Sequence, residues 1–344
     1  MSSTTPAGAP VPPAAAASRD GRAGRTGASA APPVLAEVVR SGFVEGRHRG
    51  SLVVLDADGG VREDLSLGDV ASPVFPRSAN KPVQAAAVLH AGLDLAGERL
   101  ALAAASHSGE AFHLELVERM LAEEGLTEGD LQCPPDAPLD PVEAAAHLAA
   151  GRPRTRLVMN CSGKHTAMLA ACVRQGWPRE SYLSPEHPLQ RLVAQRLAAL
   201  AGEPVAHTGT DGCGAPLLAI SLTGLARTFR AFALADGRSP EGRVAAAMRA
   251  HPEYVAGTRR PDTWLMRELP GTLAKMGAEA VQAVALPDGR ALAFKIEDGS
   301  TRALAPVLAR ALSRLGERAP VLDRLADAPL LGGDAQVGAV RAAF

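Results

Sequence analysis

The chain has 344 residues and a formal net charge of −1 at pH 7. This length is sufficient to bury a large core, and the balanced charge excludes the basic footprint of a nucleic-acid-binding protein. No uninterrupted apolar run approaches the length of a membrane span, so we expect no membrane partner. The four cysteines lie far apart and do not form the pattern of a disulfide framework, which predicts a reducing, cytoplasmic setting.

Lysine is rare in this sequence. Only four of the 36 basic Lys and Arg residues are lysines, namely Lys81, Lys164, Lys275 and Lys295. Arginine serves equally well for surface charge, but it cannot become a neutral amine near neutral pH. We therefore treat each lysine as a candidate for a functional site, with an ordinary surface role as the alternative.

The N-terminal segment differs in composition from the rest of the chain. Residues 1–33 are rich in Ala, Pro, Gly, Ser and Arg and have almost no large apolar side chains. Such a segment cannot bury enough surface to offset its ordering entropy, which predicts a disordered tail. Pro and Gly interrupt its alanines, so we do not expect a signal peptide. Residues 34–344 are expected to form a single domain.

Two short runs of β-forming residues follow, at residues 35–40 and 50–56. A turn signal at residues 58–60 then predicts a hairpin or meander. The polar residues between the two runs, 42–47, predict a loop, either solvated or lining a site.

A hydroxyl and an amine lie three residues apart at the next predicted helix start. Residues 72–76 contain two prolines and cannot be helical, whereas residues 83–90 should be helical. Pro82 is tolerated only in a first helical turn, which predicts Ser78 at or near the N-cap. Residues i and i+3 share a helix face, so we expect the Lys81 amine within reach of the Ser78 hydroxyl. A serine beside a neutral lysine is an activated nucleophile.

The chain is predicted to be mostly helical as far as residue 201. Alanine- and leucine-rich helical segments are predicted at residues 100–105, 111–124 and 141–150. The sequence Ala-Ser-His-Ser-Gly-Glu at residues 105–110 predicts a tight turn with exposed hydroxyls. Ser106 or Ser108 could cap the following helix, or the turn could belong to a site.

Two further segments combine thiols with glycine-containing turns. Cys161, Lys164 and His165 are predicted around a helix N-terminus, a position that favours a thiolate. They could form half of a metal site, although structural zinc normally uses paired Cys or His and a lysine ligand is unusual. The glycine-rich turn at residues 209–216 carries Cys213, with an incidental surface turn as the alternative.

The C-terminal part combines predicted helices and strands. We predict helices at residues 217–234 and 242–249, and a strand pair at residues 281–286 and 291–295. Strands at both ends with helices between them predict an α+β fold. An antiparallel sheet would come from residues 34–75 and 205–344, with residues 78–204 as an inserted helical region and a cleft between the two.

Six motifs occur in order along the chain: Arg-Ser-Ala-x-Lys-Pro, Ser-His-Ser-x-Glu, Asn-Cys-Ser-Gly-Lys-His, Gly-Thr-Asp-Gly-Cys, Lys-Met-Gly-Ala-Glu and Lys-Ile-Glu-Asp-Gly. Together they resemble the zinc-containing class 3 (rhizobial-type) L-asparaginases, which are asparaginase II-like, over residues 35–344. The resemblance implies a fold similar to the serine β-lactamases and glutaminases, a homodimer, and a catalytic role for the domain.

The resemblance also implies roles for individual residues. Ser78 and Lys81 match one serine–lysine pair of the family, and Ser106 and Lys275 match a second. The implied reaction is hydrolysis of L-asparagine to L-aspartate and ammonia through an acyl-enzyme on a lysine-activated serine.

The family's remaining site positions also have matches in this chain. Cys161, Lys164 and Cys213 match zinc ligands, with water completing the shell. Arg77, His165 and Asp211 match residues that line the substrate site. Cys133 and Cys172 match no position with a role, and we interpret them as structural.

Two other functions fit parts of the pattern. A serine and a lysine at i and i+3 also occur in penicillin-recognising acyl-enzymes, but the Lys-Thr-Gly strand element of those enzymes is absent. The motifs could also shape a pocket in a non-catalytic zinc- or ligand-binding protein.

Overall fold

Ten strands in two antiparallel sheets organise residues 31–344, the part of the chain that the computed structural model describes. The predicted tail lies outside the described residues, except for residues 31–33. The strands are β1 Val34–Arg40, β2 Phe43–Leu55, β3 Pro73–Val74, β4 His207–Thr210, β5 Pro216–Ser221, β6 Leu273–Gly277, β7 Val281–Ala285, β8 Ala291–Ile296, β9 Pro329–Gly332 and β10 Ala335–Ala342.

The larger sheet joins the two ends of the chain. Its seven strands follow the order β6-β7-β8-β2-β1-β10-β9. The N-terminal strand β2 pairs antiparallel with the C-terminal strand β8, with Gly50 opposite Ile296. The prediction of an α+β fold, with one antiparallel sheet built from both ends of the chain, is confirmed. In this arrangement β6, which carries Lys275, is an edge strand.

Twelve α-helices accompany the sheets in the described part of the chain. They are α1 Lys81–His90, α2 Gly97–Ala103, α3 Ala111–Glu123, α4 Pro141–Ala149, α5 Ser162–Gln175, α6 Pro188–Ala201, α7 Leu222–Leu234, α8 Pro240–Ala250, α9 Pro252–Ala256, α10 Pro261–Glu268, α11 Leu304–Arg314 and α12 Pro320–Ala326. Many begin with proline in the first turn, where its missing N–H costs no hydrogen bond. None of these helices combines the length and apolar character that a membrane crossing requires.

Helix α1 lies at the centre of the helical region. All of its residues except His90 are buried, and it contacts α5, α6 and α8. Three consecutive alanines within it leave room for close helix packing, because their side chains project little from the helix. On the other side of the core, α7 packs against β2, β7 and β8. Residues Pro32–Phe344 form one compact unit.

The predicted loop at residues 42–47 is wrong. Strand β2 begins at Phe43, directly after a two-residue turn at Ser41 and Gly42. The charged residues that made this segment look like a loop form cross-strand pairs instead, because β1 and β2 are antiparallel. The Arg47 side chain donates to Glu37 across the strands.

The predicted helix at residues 217–234 is wrong in its first part. Residues Pro216–Ser221 form β5, the central strand of a small sheet with the order β3-β5-β4. All six residues of β5 are buried, and a short, continuously apolar run does not separate a buried strand from a helix. Helix α7 begins only after Ser221, whose hydroxyl caps it by accepting from the Gly224 N–H.

Candidate active site

Ser78 lies on a tight turn that leads into α1. Residues Arg77–Asn80 form a 3-10 turn, and the N-cap of α1 is Asn80. Ser78, which was predicted at or near the N-cap, lies two residues before it. Arg77 has φ +52, an uncommon conformation for a non-glycine residue that costs on the order of 1–3 kcal/mol. This conformation turns the chain immediately before Ser78.

A cleft of about 530 Å³ opens beside this turn. It lies between the helical region and the end of edge strand β6. Six of the residues that line it are Ser78, Ser106, Asn160, Arg260, Gly277 and Glu279. The lack of a side chain at Gly277 is required here, because a Cβ would clash with the carbonyl oxygen of Pro76. That close approach brings β6 against the turn that carries Ser78.

The Lys81 amine contacts Ser106 rather than Ser78. Its Nζ atom donates to the Ser106 Oγ at 2.9 Å, to the Ala105 carbonyl at 2.6 Å and to the Cys161 Sγ at 3.1 Å. Within residues 31–344, no group makes a hydrogen bond with the Ser78 hydroxyl. Burial lowers the pKa of Lys81, since water no longer stabilises its charge.

The second lysine of the cleft reaches the same hydroxyl. The Lys275 Nζ donates to the Ser106 Oγ at 3.0 Å and to the Met276 carbonyl at 2.8 Å. Burial holds the pKa of Lys275 well below its ordinary value, and the positive charges of Lys81 and Arg260 lower it further. Ser106 therefore bridges two amines, and the three groups form a continuous hydrogen-bonded chain.

The segment that carries Ser106 is buried, not exposed as predicted. Ser106 is only 4% exposed and Ser108 is fully buried. The Ser108 hydroxyl donates to the Ala256 carbonyl at 2.6 Å. Neither serine caps α3, whose N-cap is Glu110. The sequence pattern does not distinguish a turn on the surface from one enclosed by α5 and α9.

A thiol cluster lies on the other side of Lys81. Cys161 is the N-cap of α5, Lys164 is in the first turn of that helix, and Cys213 is in the turn between β4 and β5. The Lys164 Nζ donates to the Cys213 Sγ at 3.1 Å. All three side chains are buried, so the structure brings the three predicted metal ligands together.

The two thiols of this cluster are electrostatically unequal. A hydrogen bond from Cys161 and the charge of Lys164 hold the pKa of Cys213 well below its ordinary value. The same hydrogen bond, together with burial, raises the pKa of Cys161 well above its ordinary value. Burial disfavours the charge of Lys164, but the two sulfurs outweigh this and raise its pKa. These shifts favour a thiolate at Cys213 paired with an ammonium at Lys164, with the Cys161 thiol beside them.

The chemistry of these donors fits a thiophilic ion such as zinc, which prefers thiolate sulfur. A further observation agrees with this fit, because the buried Nε2 atom of the adjacent His165 has no hydrogen-bond partner. No cluster of three or more His, Cys, Asp or Glu side chains suitable for a metal occurs in residues 31–344. A metal held by the two thiols would have Lys164, in its neutral form, as the third protein ligand.

The three predicted substrate-site residues lie next to the thiol cluster. The Arg77 guanidinium pairs with Asp211 at 2.8 Å, and Asp211 Oδ2 is 4.0 Å from the Cys213 Sγ. The His165 Nδ1 is 2.6 Å from the Tyr182 hydroxyl, and burial lowers the pKa of His165 to about 4, so its ring is neutral. None of the three is among the residues that line the cleft with Ser78.

Three of the four rare lysines meet in this region, and one does not. Lys81, Lys164 and Lys275 are each at most 2% exposed. Lys295 lies on β8 and donates to the backbone carbonyls of Glu279 and Ile296.

The remaining thiols are buried, and desolvation raises the pKa of both Cys133 and Cys172 to about 11.

Sequence reasoning missed Arg260, which lines the cleft beside Ser106. Its Nη1 donates to the Ser106 carbonyl at 3.0 Å. Lysine scarcity drew attention to the amines, but it gave no reason to prefer one arginine among 32. The position of Arg260 directly before the proline that begins α10 was the one local signal, and it indicates only a helix start.

Comparison with known proteins gives one family and several distant structures. The family model described as L-asparaginase II matches residues 36–342, and no curated protein sequence matches the chain. A candidate β-lactamase from Bacteroides dorei is 16% identical, with a TM-score of 0.43, over 77% of this chain and 93% of its own. A β-lactamase from Mycobacterium bovis is 15% identical, with a TM-score of 0.40, over 73% and 88%. The protein Mglu is 16% identical, with a TM-score of 0.41, over 78% and 60%.

Proposed function

Because the chain belongs to the L-asparaginase II family, we propose that it hydrolyses the side-chain amide of L-asparagine to L-aspartate and ammonia. The proposed route is an acyl-enzyme formed on a serine. The observation that supports it most strongly is the hydrogen-bonded chain Lys81–Ser106–Lys275, whose central residue Ser106 lines the same cleft as Ser78.

Ser78 is the nucleophile in this proposal. An attacking oxygen needs a lone pair that faces the substrate, and the Ser78 hydroxyl has no hydrogen-bond partner in residues 31–344. The Ser106 oxygen is almost fully buried and already contacts two amines. Ser106 is therefore suited to pass protons between the lysines, and Ser78 to form the covalent bond.

The proton movements balance over one turnover. Ser78 attacks the amide carbon, and its proton passes to a neutral amine of the lysine chain. When the C–N bond breaks, the chain returns that proton to the leaving ammonia. Water then attacks the ester, one proton of the water restores the Ser78 hydroxyl through the same chain, and aspartate leaves. Neutral lysines are required, which agrees with the lowered pKa values of Lys81 and Lys275.

Backbone N–H groups stabilise the oxyanion in this mechanism. N–H groups at the start of a helical turn have no partner within that turn, so the turn at Ser78 offers one such donor. Strand β6 is at the edge of the sheet, and its end at Gly277, followed by Ala278, lines the cleft. An N–H at this edge supplies the second donor in the proposal.

We also propose the zinc-containing class 3 subtype, with zinc held by Cys161, Lys164 and Cys213. A bound zinc ion would supply positive charge that fixes a polar group of the substrate. The pairing of Arg77 with Asp211, and the neutral ring of His165, are proposed to shape this side of the substrate site. Replacing Cys213 with Ser is expected to remove the metal, as measured by elemental analysis.

A homodimer and a cytoplasmic location complete the proposal. The four cysteines are all free, which is compatible with a reducing environment. Light scattering on the purified protein would test the dimer.

Ammonia release is the direct test of this function. The purified protein should release ammonia from L-asparagine. Ammonia release from L-glutamine and acylation by labelled penicillin would be measured in parallel. Each assay would be repeated with a chelator to test whether a metal is needed. Release from L-asparagine, with no acylation by penicillin, supports the proposal. Acylation by penicillin would favour the penicillin-recognising alternative. Metal binding without release from either amino acid would favour a non-catalytic zinc-binding protein.

A further inference from the structure

Arg260 has no carboxylate within ion-pair distance in the described part of the chain, although Asp262 and Asp140 act on its charge from farther away. Within residues 31–344, its guanidinium makes hydrogen bonds only to the Ser106 carbonyl and the Met276 thioether. The neighbouring Arg259 differs, because its guanidinium forms ion pairs with Asp140 at 2.9 Å and Glu143 at 2.6 Å. Burial lowers the pKa of Arg260, and the more distant carboxylates of Asp262 and Asp140 offset only part of this effect.

The position of this guanidinium ties it to the reacting groups. It holds the backbone of Ser106 through one nitrogen, and it lines the same cleft as Ser78. Arg77, the arginine that the sequence predicted, is compensated by Asp211 at 2.8 Å and faces Glu279 at 3.8 Å. Arg260 is thus the arginine of the cleft region whose charge is available to a ligand.

We propose that Arg260 binds the α-carboxylate of the substrate and thereby restricts the enzyme to amides of amino acids with a free α-carboxyl group. This inference rests on the proposed function and goes beyond it by naming the residue that selects the substrate. A guanidinium binds a carboxylate with two parallel hydrogen bonds, a geometry that lysine cannot supply. A carboxylate bound there would also place a counter-charge in direct contact with the guanidinium.

The turnover test compares L-asparagine with L-asparagine α-amide, which lacks the α-carboxylate, in wild-type protein and in Arg260→Gln. We expect wild-type protein to prefer L-asparagine by about 100-fold in kcat/KM, because a buried charge pair is lost with the α-amide. Arg260→Gln should lose this preference, through a rise of about 100-fold in KM for L-asparagine and a change of only about threefold for the α-amide.

Two further variants distinguish a loss of carboxylate binding from a loss of structural support at Ser106. Arg249→Gln is the matched control, because Arg249 is a partly buried guanidinium with two unpartnered nitrogens on α8, and it is not among the cleft-lining residues. We expect it to keep the wild-type preference. Arg260→Lys keeps the charge but not the paired geometry, so it should recover only part of the preference. An Arg260→Gln protein that loses activity equally on both amides would overturn the proposal and leave Arg260 as a support for Ser106.

Binding measurements test the role of Arg260 independently of the proposed reaction. Calorimetry in a Ser78→Ala background should give tight binding of L-asparagine, weak binding of its α-amide, and weak binding of both once Arg260→Gln is added. This pattern would support the anchor even if wild-type protein released no ammonia. Equal affinity of the Ser78→Ala protein for the two amides would overturn it.

Discussion

Lys81 lies between two clusters of side chains, and each cluster contains a further buried lysine. The pKa of the lysine is lowered in one cluster and raised in the other. On one side, Lys275 shares the Ser106 hydroxyl with Lys81, and burial holds its pKa well below the ordinary value. On the other side, Lys164 is equally buried, but its pKa is raised because it faces the thiolate of Cys213. Burial is similar in both clusters, but the charges around the two amines differ. Lys275 faces the positive charges of Lys81 and Arg260, which lower its pKa further. Lys164 faces two sulfurs, which raise its pKa.

The comparison shows that the acidity of the partner sets the charge of a buried lysine. A serine hydroxyl does not ionise near neutral pH, so it supplies no negative charge to offset the burial of the lysine beside it, and the pKa of that lysine falls. A thiol can ionise, so the lysine beside it stays charged and the pair is held by attraction. The hydroxyl cluster is therefore suited to accept protons, and the thiol cluster to bind a cation once its lysine is deprotonated.

The largest effect is expected from Ser78→Ala. If Ser78 forms the acyl-enzyme, its loss removes the covalent route and should lower kcat by about 10⁴-fold or more. Ammonia release from L-asparagine measures this, and circular dichroism checks that the variant is folded. Activity within about tenfold of wild type would contradict the assignment of Ser78.

Lys275→Met should have the next largest effect. It removes one neutral amine from the proton chain, and general acid–base catalysis typically contributes about 10²- to 10⁴-fold. We expect kcat to fall within that range while the zinc content stays at the wild-type level. Lys295→Met is the matched control, because its amine contacts only the backbone carbonyls of Glu279 and Ile296. An equal fall in kcat in the two variants would show that Lys275 contributes no more to catalysis than Lys295.

Cys213→Ser and Lys164→Met address the thiol cluster. Both should reduce bound zinc to well below one ion per chain, since each removes a proposed ligand and three protein ligands are needed. Cys172→Ser serves as the control, because that thiol lies 3.9 Å from His187 and outside the cluster. Metal content unchanged by Cys213→Ser would contradict the proposed site.

The smallest effect is a pH dependence of stability. Lys275 has a lowered pKa in the folded state, whereas in the unfolded chain its pKa is about 10.4. Between these two values the unfolded state binds more protons, so the unfolding free energy of wild-type protein rises with pH. Lys275→Met lacks this contribution. The unfolding free energy of wild-type protein, relative to that of the variant, should therefore increase by up to about 1.4 kcal/mol per pH unit. Denaturation of both proteins between about pH 7 and 10 measures this difference, and a constant difference would show that Lys275 is charged in the fold.

Much of the fold could be predicted from pattern alone. The α+β arrangement followed from strand signals at both ends, and the strand pair around residues 287–289 followed from its turn residues. The second half of β2 was predicted from the β-forming run at residues 50–56, but its first half could not be recognised, because its charged residues are paired across the sheet. Such pairing is a property of the partner strand, and periodicity within one segment does not reveal it.

The candidate site shows the same limit. Composition selected Lys81, Lys164 and Lys275, which the structure places together, but it also selected Lys295, which lies apart. The pairing of Lys81 with Ser78 was inferred from helical spacing. The structure directs the Lys81 amine to Ser106 instead, because Ser78 is in a 3-10 turn before α1 begins. Arg260 acquires its significance only from tertiary contacts, which sequence spacing does not encode.

The most direct test of the account is the identity of the serine that becomes acylated. Wild-type protein and Ser106→Ala would be mixed with L-asparagine, quenched rapidly in acid and mapped by peptide mass spectrometry. The account predicts an aspartyl group on Ser78 in both proteins, with slower formation and decay in Ser106→Ala. An aspartyl group on Ser106 of the wild-type protein, with Ser78 unmodified, would contradict it.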